Sequence, residues 1–238
     1  MKLASVDTST FTESVALLDG QTLMGERNVR RKYGHASGLH RDLHELLDEA
    51  GWALDELDGF VIGIGPGSFT GLRVGMAAVK GLAYALQKPL YGVSAATAIL
   101  KGVVDDRDAL ALIDARRGEV YAQGPLVETY LGSPRCYTPE GLISALQEHE
   151  ARPRLLIGEG ALKYRDLFIE AWPHTLIPKG DTIHLPRASL LALGLDTSLD
   201  LQEVNEAQIA SLEPIYVRAS DAEINYPDGF PSEARLFS

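Results

Sequence analysis

Leu3-Ala4-Ser5-Val6-Asp7 and Leu110-Ala111-Leu112-Ile113-Asp114 share one pattern, a short strand-like run that ends on an aspartate. Each is followed by a second strand-forming run, Ser14 to Leu18 in the first case and Glu119 to Gln123 in the second, which makes a hairpin of each. An internal duplication is the natural inference, with the pattern restarting at residue 108. Outward from the first copy, Asp19-Gly20 supplies a tight turn before Gln21 to Val29, so the chain opens on a three-stranded antiparallel meander.

From His35 to Ala50 the leucines fall at 39, 43, 46 and 47, which is helical spacing with one apolar face, and Gly51 stops it. Gly59 to Ile64 reads as a buried strand. After it come Gly65-Pro66-Gly67-Ser68-Phe69-Thr70, a long helix to about Leu86, a short strand Leu90 to Val93, and a helix from Ala95 to about Val103. The order is β-β-β-α-β-α-β-α, an α/β lobe built on a mixed sheet. In the second half Pro139 to Leu146 and Pro186 to Leu195 look helical and Leu155 to Gly158 strand-like, so the second copy is expected to be shortened. The expected division is 1–106, 107–219 and an extended tail 220–238, where Pro, Asp and Glu mix without periodicity.

The 238 residues, 45% of them hydrophobic, are ample for buried cores. A formal charge of −11 repels phosphate on average, which argues against a general grip on duplex nucleic acid and implies that any RNA arrives through a partner or a local patch. The single Cys136 cannot form an internal disulfide, no structural-zinc spacing exists, and no apolar run reaches membrane-spanning length. A cytoplasmic protein without a membrane segment is the expectation.

In Gly65-Pro66-Gly67-Ser68-Phe69-Thr70-Gly71-Leu72-Arg73 the glycines permit a tight strand-to-helix turn, and Ser68 or Thr70 can cap the helix. The same helix N-terminus could hold an anion. It is not a P-loop, since Leu72-Arg73 stands where the lysine should be. His40 and His44 form an H-x-x-x-H string on one helix face, but no third ligand is identifiable and Arg41 replaces the glutamate of a metalloprotease. Nothing adjacent in sequence pairs a nucleophile with a base: Ser9, Ser68 and Cys136 have no local histidine.

The Gly71 to Leu86 helix has Arg73 and Lys80 as its only charged residues, and Leu, Val, Met, Ala and Gly make up nearly all of the rest. A helix apolar around most of its circumference must be covered on more than one side. Gly71, Gly75, Ala78 and Gly81 leave room for another backbone to approach. The expected interface therefore comprises His35, Leu39, Leu43, Gly71, Arg73, Val74, Gly75, Met76, Ala78 and Gly81, a four-helix contact of two helices from each protein. Packing of the same two helices within one chain is the competing reading.

Two mixed-sheet lobes, each presenting an aspartate at the end of its first strand, resemble the ribonuclease-H-like lobes of the actin, hexokinase and Hsp70 ATPase superfamily. That resemblance implies nucleotide phosphate held near Asp7, Thr8 and Ser9 and near Asp114 and Arg116. The later Gly158-Glu159-Gly160 lacks a full adenosine loop, so the expected site is vestigial, with no tightly bound cofactor and ATP or ADP at most at a joint with a partner.

As a whole string GPGSFTGLR is similar to the signature of the TsaB (YeaZ-like) family. The similarity continues through Asp7-Thr8-Ser9-Thr10, His35, Lys80-Gly81-Leu82-Ala83, Gly92-Val93-Ser94, Asp114 to Tyr121, and Leu212-Glu213-Pro214-Ile215-Tyr216-Val217-Arg218. It implies a subunit without independent activity that pairs with TsaD, a paralogue carrying metal and chemistry, and with the ATPase TsaE. Together they transfer threonylcarbamoyl to the adenosine beside the anticodon of tRNA. A homodimer is implied when TsaD is absent, and tRNA is met only through the complex. The family's catalytic paralogue carries an H-x-x-x-H pair just after the strand corresponding to Leu90–Val93; here those positions are Ala95 and Ile99. The competing functional class is a stand-alone metallopeptidase or ATP-dependent enzyme on the same scaffold.

Overall fold

The computed structural model describes residues 1–30, 35–103, 107–195 and 206–216, without the side chains of 35–37 and 206. His35 as an interface side chain, Val217-Arg218 and the 220–238 tail therefore lie outside the described residues.

The first sheet is built from β1 (Lys2–Asp7), β2 (Thr12–Asp19), β3 (Thr22–Arg30), β4 (Gly59–Gly63) and β5 (Leu90–Val93), in the order β3-β2-β1-β4-β5. β1 pairs antiparallel with β2 and parallel with β4, so the meander and the crossover strands meet on β1. This central strand is buried from Leu3 to Asp7, on both faces, which is why its aspartate ends inside the protein.

One face is covered by α1 (His35–Ala50) and α2 (Phe69–Leu86). Leu39, Leu43, Leu46 and Leu47 of α1 join Met76, Val79 and Ala83 of α2 in one core with Phe60 and Ile62. The opposite face carries α3 (Ala95–Lys101) and, from late in the chain, α8 (Ala188–Leu193), whose Ala188, Leu191 and Ala192 pack on Leu3, Leu18 and Val61.

The second sheet has β6 (Ala109–Arg116), β7 (Glu119–Gln123), β8 (Arg135–Tyr137) and β9 (Leu155–Ile157) in the order β8-β7-β6-β9. Its pairing senses repeat those of β3-β2-β1-β4, antiparallel then parallel about β6. Among the described residues the fifth strand is reduced to one bridge, Leu155 with Leu176. Among the described residues the copy is shortened, as its sequence implies. Helices α4 (Pro125–Leu131), α5 (Pro139–Gln147), α6 (Glu159–Lys163) and α7 (Arg165–Ala171) complete the lobe, with Phe168 and Trp172 in its core.

Two features depart from a division at residue 107. The helices α8 and α9 (Glu206–Ser211) pack on the first lobe, α9 against α2, so the late chain returns across the molecule. Arg187 fixes that return: its side chain pairs with Glu26 of β3, 2.7 Å away, and Ser189 N donates to the same carboxylate. Burial raises the Glu26 pKa, but the bonds from Ser189 and Arg187 outweigh it and leave the carboxyl below its ordinary value. In addition, α3 is shared. Ala95, Ala96, Ile99 and Leu100 pack on Ala109, Ala111, Ile113, Tyr121 and Ile157, an apolar layer that joins the lobes.

Candidate functional site

The first aspartate is closed off by its own chain. Asp7 is fully buried, and one carboxylate oxygen accepts from Ser9 N at 2.9 Å and Ser9 Oγ at 2.7 Å. The other oxygen, Oδ2, is buried with no hydrogen-bond partner and faces Gly63, where a Cβ would lie 2.0 Å from it. Burial pushes the carboxyl up to about 7, against the downward pull of the Ser9 bonds.

The glycine-rich loop fits onto this turn. Thr8 Oγ1 donates to Gly71 O at 2.8 Å, and Ser68 N donates to Ser9 O at 2.6 Å. A Cβ on Gly71 would sit 2.1 Å from Thr8 O, one on Gly75 2.1 Å from Thr8 Oγ1, and one on Gly67 2.2 Å from Ser9 O. These glycines serve a close approach within the chain. Ser68 is the N-cap of α2, accepting from Gly71 N at 3.2 Å, so two amides that an anion would need are already engaged. Beyond the loop, Ile215 N donates to Ile64 O, and Tyr216 stacks obliquely on Phe69 with ring centroids 5.1 Å apart. Arg73 lies over Phe69 and Tyr216, so the late Leu212–Tyr216 string holds the start of α2 in place.

The second aspartate is paired. Lys163 Nζ lies 2.9 Å and Arg116 Nη1 3.3 Å from the two oxygens of Asp114, and Arg116 N donates to it as well. The Asp114 hydrogen bond holds the Lys163 ammonium above its ordinary pKa. Arg116 and Arg117, at φ of 68° and 48°, precede Gly118 at 87°, a run of left-handed residues that turns the hairpin back. The Arg116 guanidinium then stacks on Phe11 of the first hairpin, 4.9 Å from the ring centre, and joins the two turns across the lobes. Glu159 lies at the same joint and is held above its ordinary pKa by burial, which outweighs the attraction of Arg116.

Magnesium nucleotide needs ionised carboxylates that face the space between the lobes. Asp7 is sealed and Asp114 already holds two cations, so this donor set does not fit the phosphates and metal of an ATPase. Ala95 and Ile99 lie in the apolar layer between the lobes, 0% and 1% exposed, at the positions where the resemblance places metal-binding histidines. The sequence reading missed Lys163 as the partner of Asp114 and Glu159 as its neighbour. The only local signal was a charged residue between Gly158 and Gly160, which themselves are needed because a Cβ at either would meet Leu112 O within 2.8 Å.

The residues expected at an interface divide into two sets. Leu39, Leu43, Gly71, Gly75 and Met76 are buried in the first lobe and cannot present side chains to a partner. Arg73 and Gly81 are exposed, and Val74 and Ala78 are half-buried. Arg73, Ala77, Gly81, Tyr84 and Ala85 make the open stripe of α2, with Tyr84 58% exposed. Lys80, by contrast, is tied to Ala210 O of α9 at 2.8 Å. On α1, His40 and His44 are exposed, and His44 lies 3.9 Å from Asp48. No group of three potential metal ligands occurs among the described residues.

Two sheets with repeated pairing about a central aspartate-ended strand define a duplicated, two-lobed α/β protein with a mixed sheet in each lobe. Residues 31–226 match the family model described as TsaD, tRNA N6-adenosine threonylcarbamoyltransferase. The chain is 30% identical over 236 residues to the tRNA threonylcarbamoyladenosine biosynthesis protein TsaB of Haemophilus influenzae, covering 92% of this chain and 94% of that one. The TsaB of Bacillus subtilis is 29% identical over 233 residues, 95% of this chain and 98% of the relative. YeaZ from Pseudomonas aeruginosa superposes with a TM-score of 0.67 at 29% identity over 90% of this chain and 99% of its own. The chain belongs to the TsaB (YeaZ-like) family, within the wider family that the TsaD model describes.

Proposed function

We propose that this chain is a non-catalytic subunit of the machinery that transfers threonylcarbamoyl to the adenosine beside the anticodon of tRNA. It works by pairing with a TsaD-type subunit that carries the chemistry, with TsaE as the associated ATPase. The observation that carries the reading is the closure of the inter-lobe site: Asp7 is buried against Ser9 and Gly63, and Asp114 is neutralised by Lys163 and Arg116. Any ATP or ADP then binds at the joint with the partner. The compartment is the cytoplasm; among the described residues no helix is long and apolar enough to cross a membrane.

The partner surface is the exposed stripe of α2 together with the neighbouring exposed face of α1. Small residues at 77, 81 and 85 allow a close helix approach, and Tyr84 offers an aromatic anchor. A second copy of this chain occupies the stripe when TsaD is absent. A stable contact of this kind buries on the order of 1,600 Å².

The decisive test is reconstitution of tRNA modification with TsaD and TsaE, with and without this chain; equal yield without it refutes the subunit role. Ala77→Glu with Gly81→Glu should leave the circular dichroism spectrum of the isolated chain unchanged, because both positions are exposed in the single chain. The same pair should weaken association with TsaD by roughly 100-fold, because each places a charge in a dry contact. Light scattering of the mixture measures this, and unchanged association would remove α2 from the interface.

A further inference from the structure

Ala151 to Arg154 and Trp172 to Thr175 run side by side at the outer end of the second lobe. Thr175 Oγ1 donates to Pro153 O and Leu176 N donates to Arg154 O, which fixes the two segments to each other. Between them is a cavity of about 470 Å³ whose lining includes Arg152, Arg154, His174, Trp172 and Glu150. A second cavity of about 300 Å³ shares Arg154 and His174 and adds Asp108. Arg154 and Asp108 precede the parallel strands β9 and β6, whereas Asp114 and Gly158 lie at their other ends. The cavity is thus at the pole of the lobe opposite the paired-aspartate turns.

Its polar groups are mostly donors. The side chains of Arg152, Arg154 and His174 make no hydrogen bond or ion pair among the described residues, although the chain as a whole carries a charge of −11. Trp172, 4% exposed, adds to the cavity lining and otherwise packs in the core of the lobe against Phe168. Guanidinium and imidazole groups not engaged within the described chain are available to an acceptor-rich occupant. Glu150 lines the first cavity and Asp108 the second, and both limit the net positive field, so recognition rests on the N–H groups. Two guanidiniums separated by one residue present forks suited to phosphate oxygens.

We infer that this cavity binds a backbone phosphate of RNA, namely the tRNA on which the assembled complex acts. The inference rests on the subunit reading above. It gives an acidic protein one local RNA contact, through donors that act within a few ångströms.

The test uses the complex of this chain with TsaD and an in vitro transcribed tRNA substrate, read by fluorescence anisotropy between 50 and 200 mM salt. Arg152→Gln with Arg154→Gln should weaken binding about 10-fold at the lower salt and reduce the slope of log K against log salt by about 1 to 2. Arg152→Lys with Arg154→Lys should keep most of that slope. Both positions are exposed, and unchanged circular dichroism controls for folding. Equal tRNA affinity of the glutamine variant and wild type, in a complex that modifies tRNA, overturns this site and leaves the subunit reading standing. A wild-type complex that modifies tRNA no better than TsaD and TsaE alone overturns both. Titration of AMP and inorganic phosphate into the isolated chain should show nothing tighter than millimolar. Micromolar binding of AMP that the glutamine variant abolishes would assign the cavity to a mononucleotide and refute the RNA contact.

Discussion

Gly71→Ala should lower the melting temperature by about 10 °C, while Gly81→Ala in the same helix should raise it by about 2 °C. A Cβ at Gly71 would stand 2.1 Å from Thr8 O, a backbone atom held by the β1–β2 turn, whereas nothing lies within 4 Å of a Cβ at Gly81. The first change must displace either α2 or the turn that carries Asp7, a rearrangement that costs about 4 kcal/mol or more. The second removes a helix-interior glycine in open space, worth up to about 1 kcal/mol. For a chain of this size each kcal/mol corresponds to roughly 2–4 °C. Thermal melts of the isolated protein, at concentrations dilute enough for it to be monomeric, decide it. If both variants move in the same direction, the glycines share one role and the contact with Thr8 is not what requires Gly71.

That contrast marks the limit of what the sequence made legible. Helical spacing and glycine content identified α2 and its unusual apolarity, because those are local properties of eighteen residues. They could not say which glycine meets which backbone. Gly71, Gly75 and Gly81 look alike along the chain, yet the first two receive a turn that is more than sixty residues distant and the third faces outward. The same distinction runs through the whole fold. The order of the first lobe and the repeat of its aspartate-ended strand were readable from period-2 and period-3.6 patterns.

The return of Arg187 to Glu26, the burial of α3 between two sheets, and the pairing of Lys163 with Asp114 depend on contacts that no window of sequence contains. The paired-aspartate turns are the instructive case. Their location was legible, and their chemistry was not, because an aspartate that holds metal and one that is sealed or neutralised look the same until the neighbours are known. Ala95 and Ile99 carry the complementary lesson. As letters they only lack ligand atoms, whereas in the fold they contribute to the layer that joins the lobes.

Asp7→Asn should make the protein more stable than wild type at pH 8 by about 4 kcal/mol, a difference that closes as the pH falls toward 4. The wild-type carboxyl is raised from 3.8 to about 7 by burial. Between those values the native state retains a proton that the unfolded chain releases, so stability is complete below pH 3.8 and declines as the pH rises toward 7. Above pH 7 the full penalty for a buried carboxylate applies, a shift of about three pH units at 1.36 kcal/mol each. Asparagine keeps the acceptor for Ser9 N and Ser9 Oγ and has no charge to bury. Melting curves of both proteins at pH 4, 6 and 8 isolate the effect, because Glu159 and every other titrating group are common to the pair. The expected gap is about 10 °C at pH 8 and near zero at pH 4. A gap independent of pH would mean that Asp7 does not carry the proton. A variant less stable than wild type throughout would mean that the ionised carboxylate is held by a cation or a donor, and the site between the lobes would then have to be read as functional.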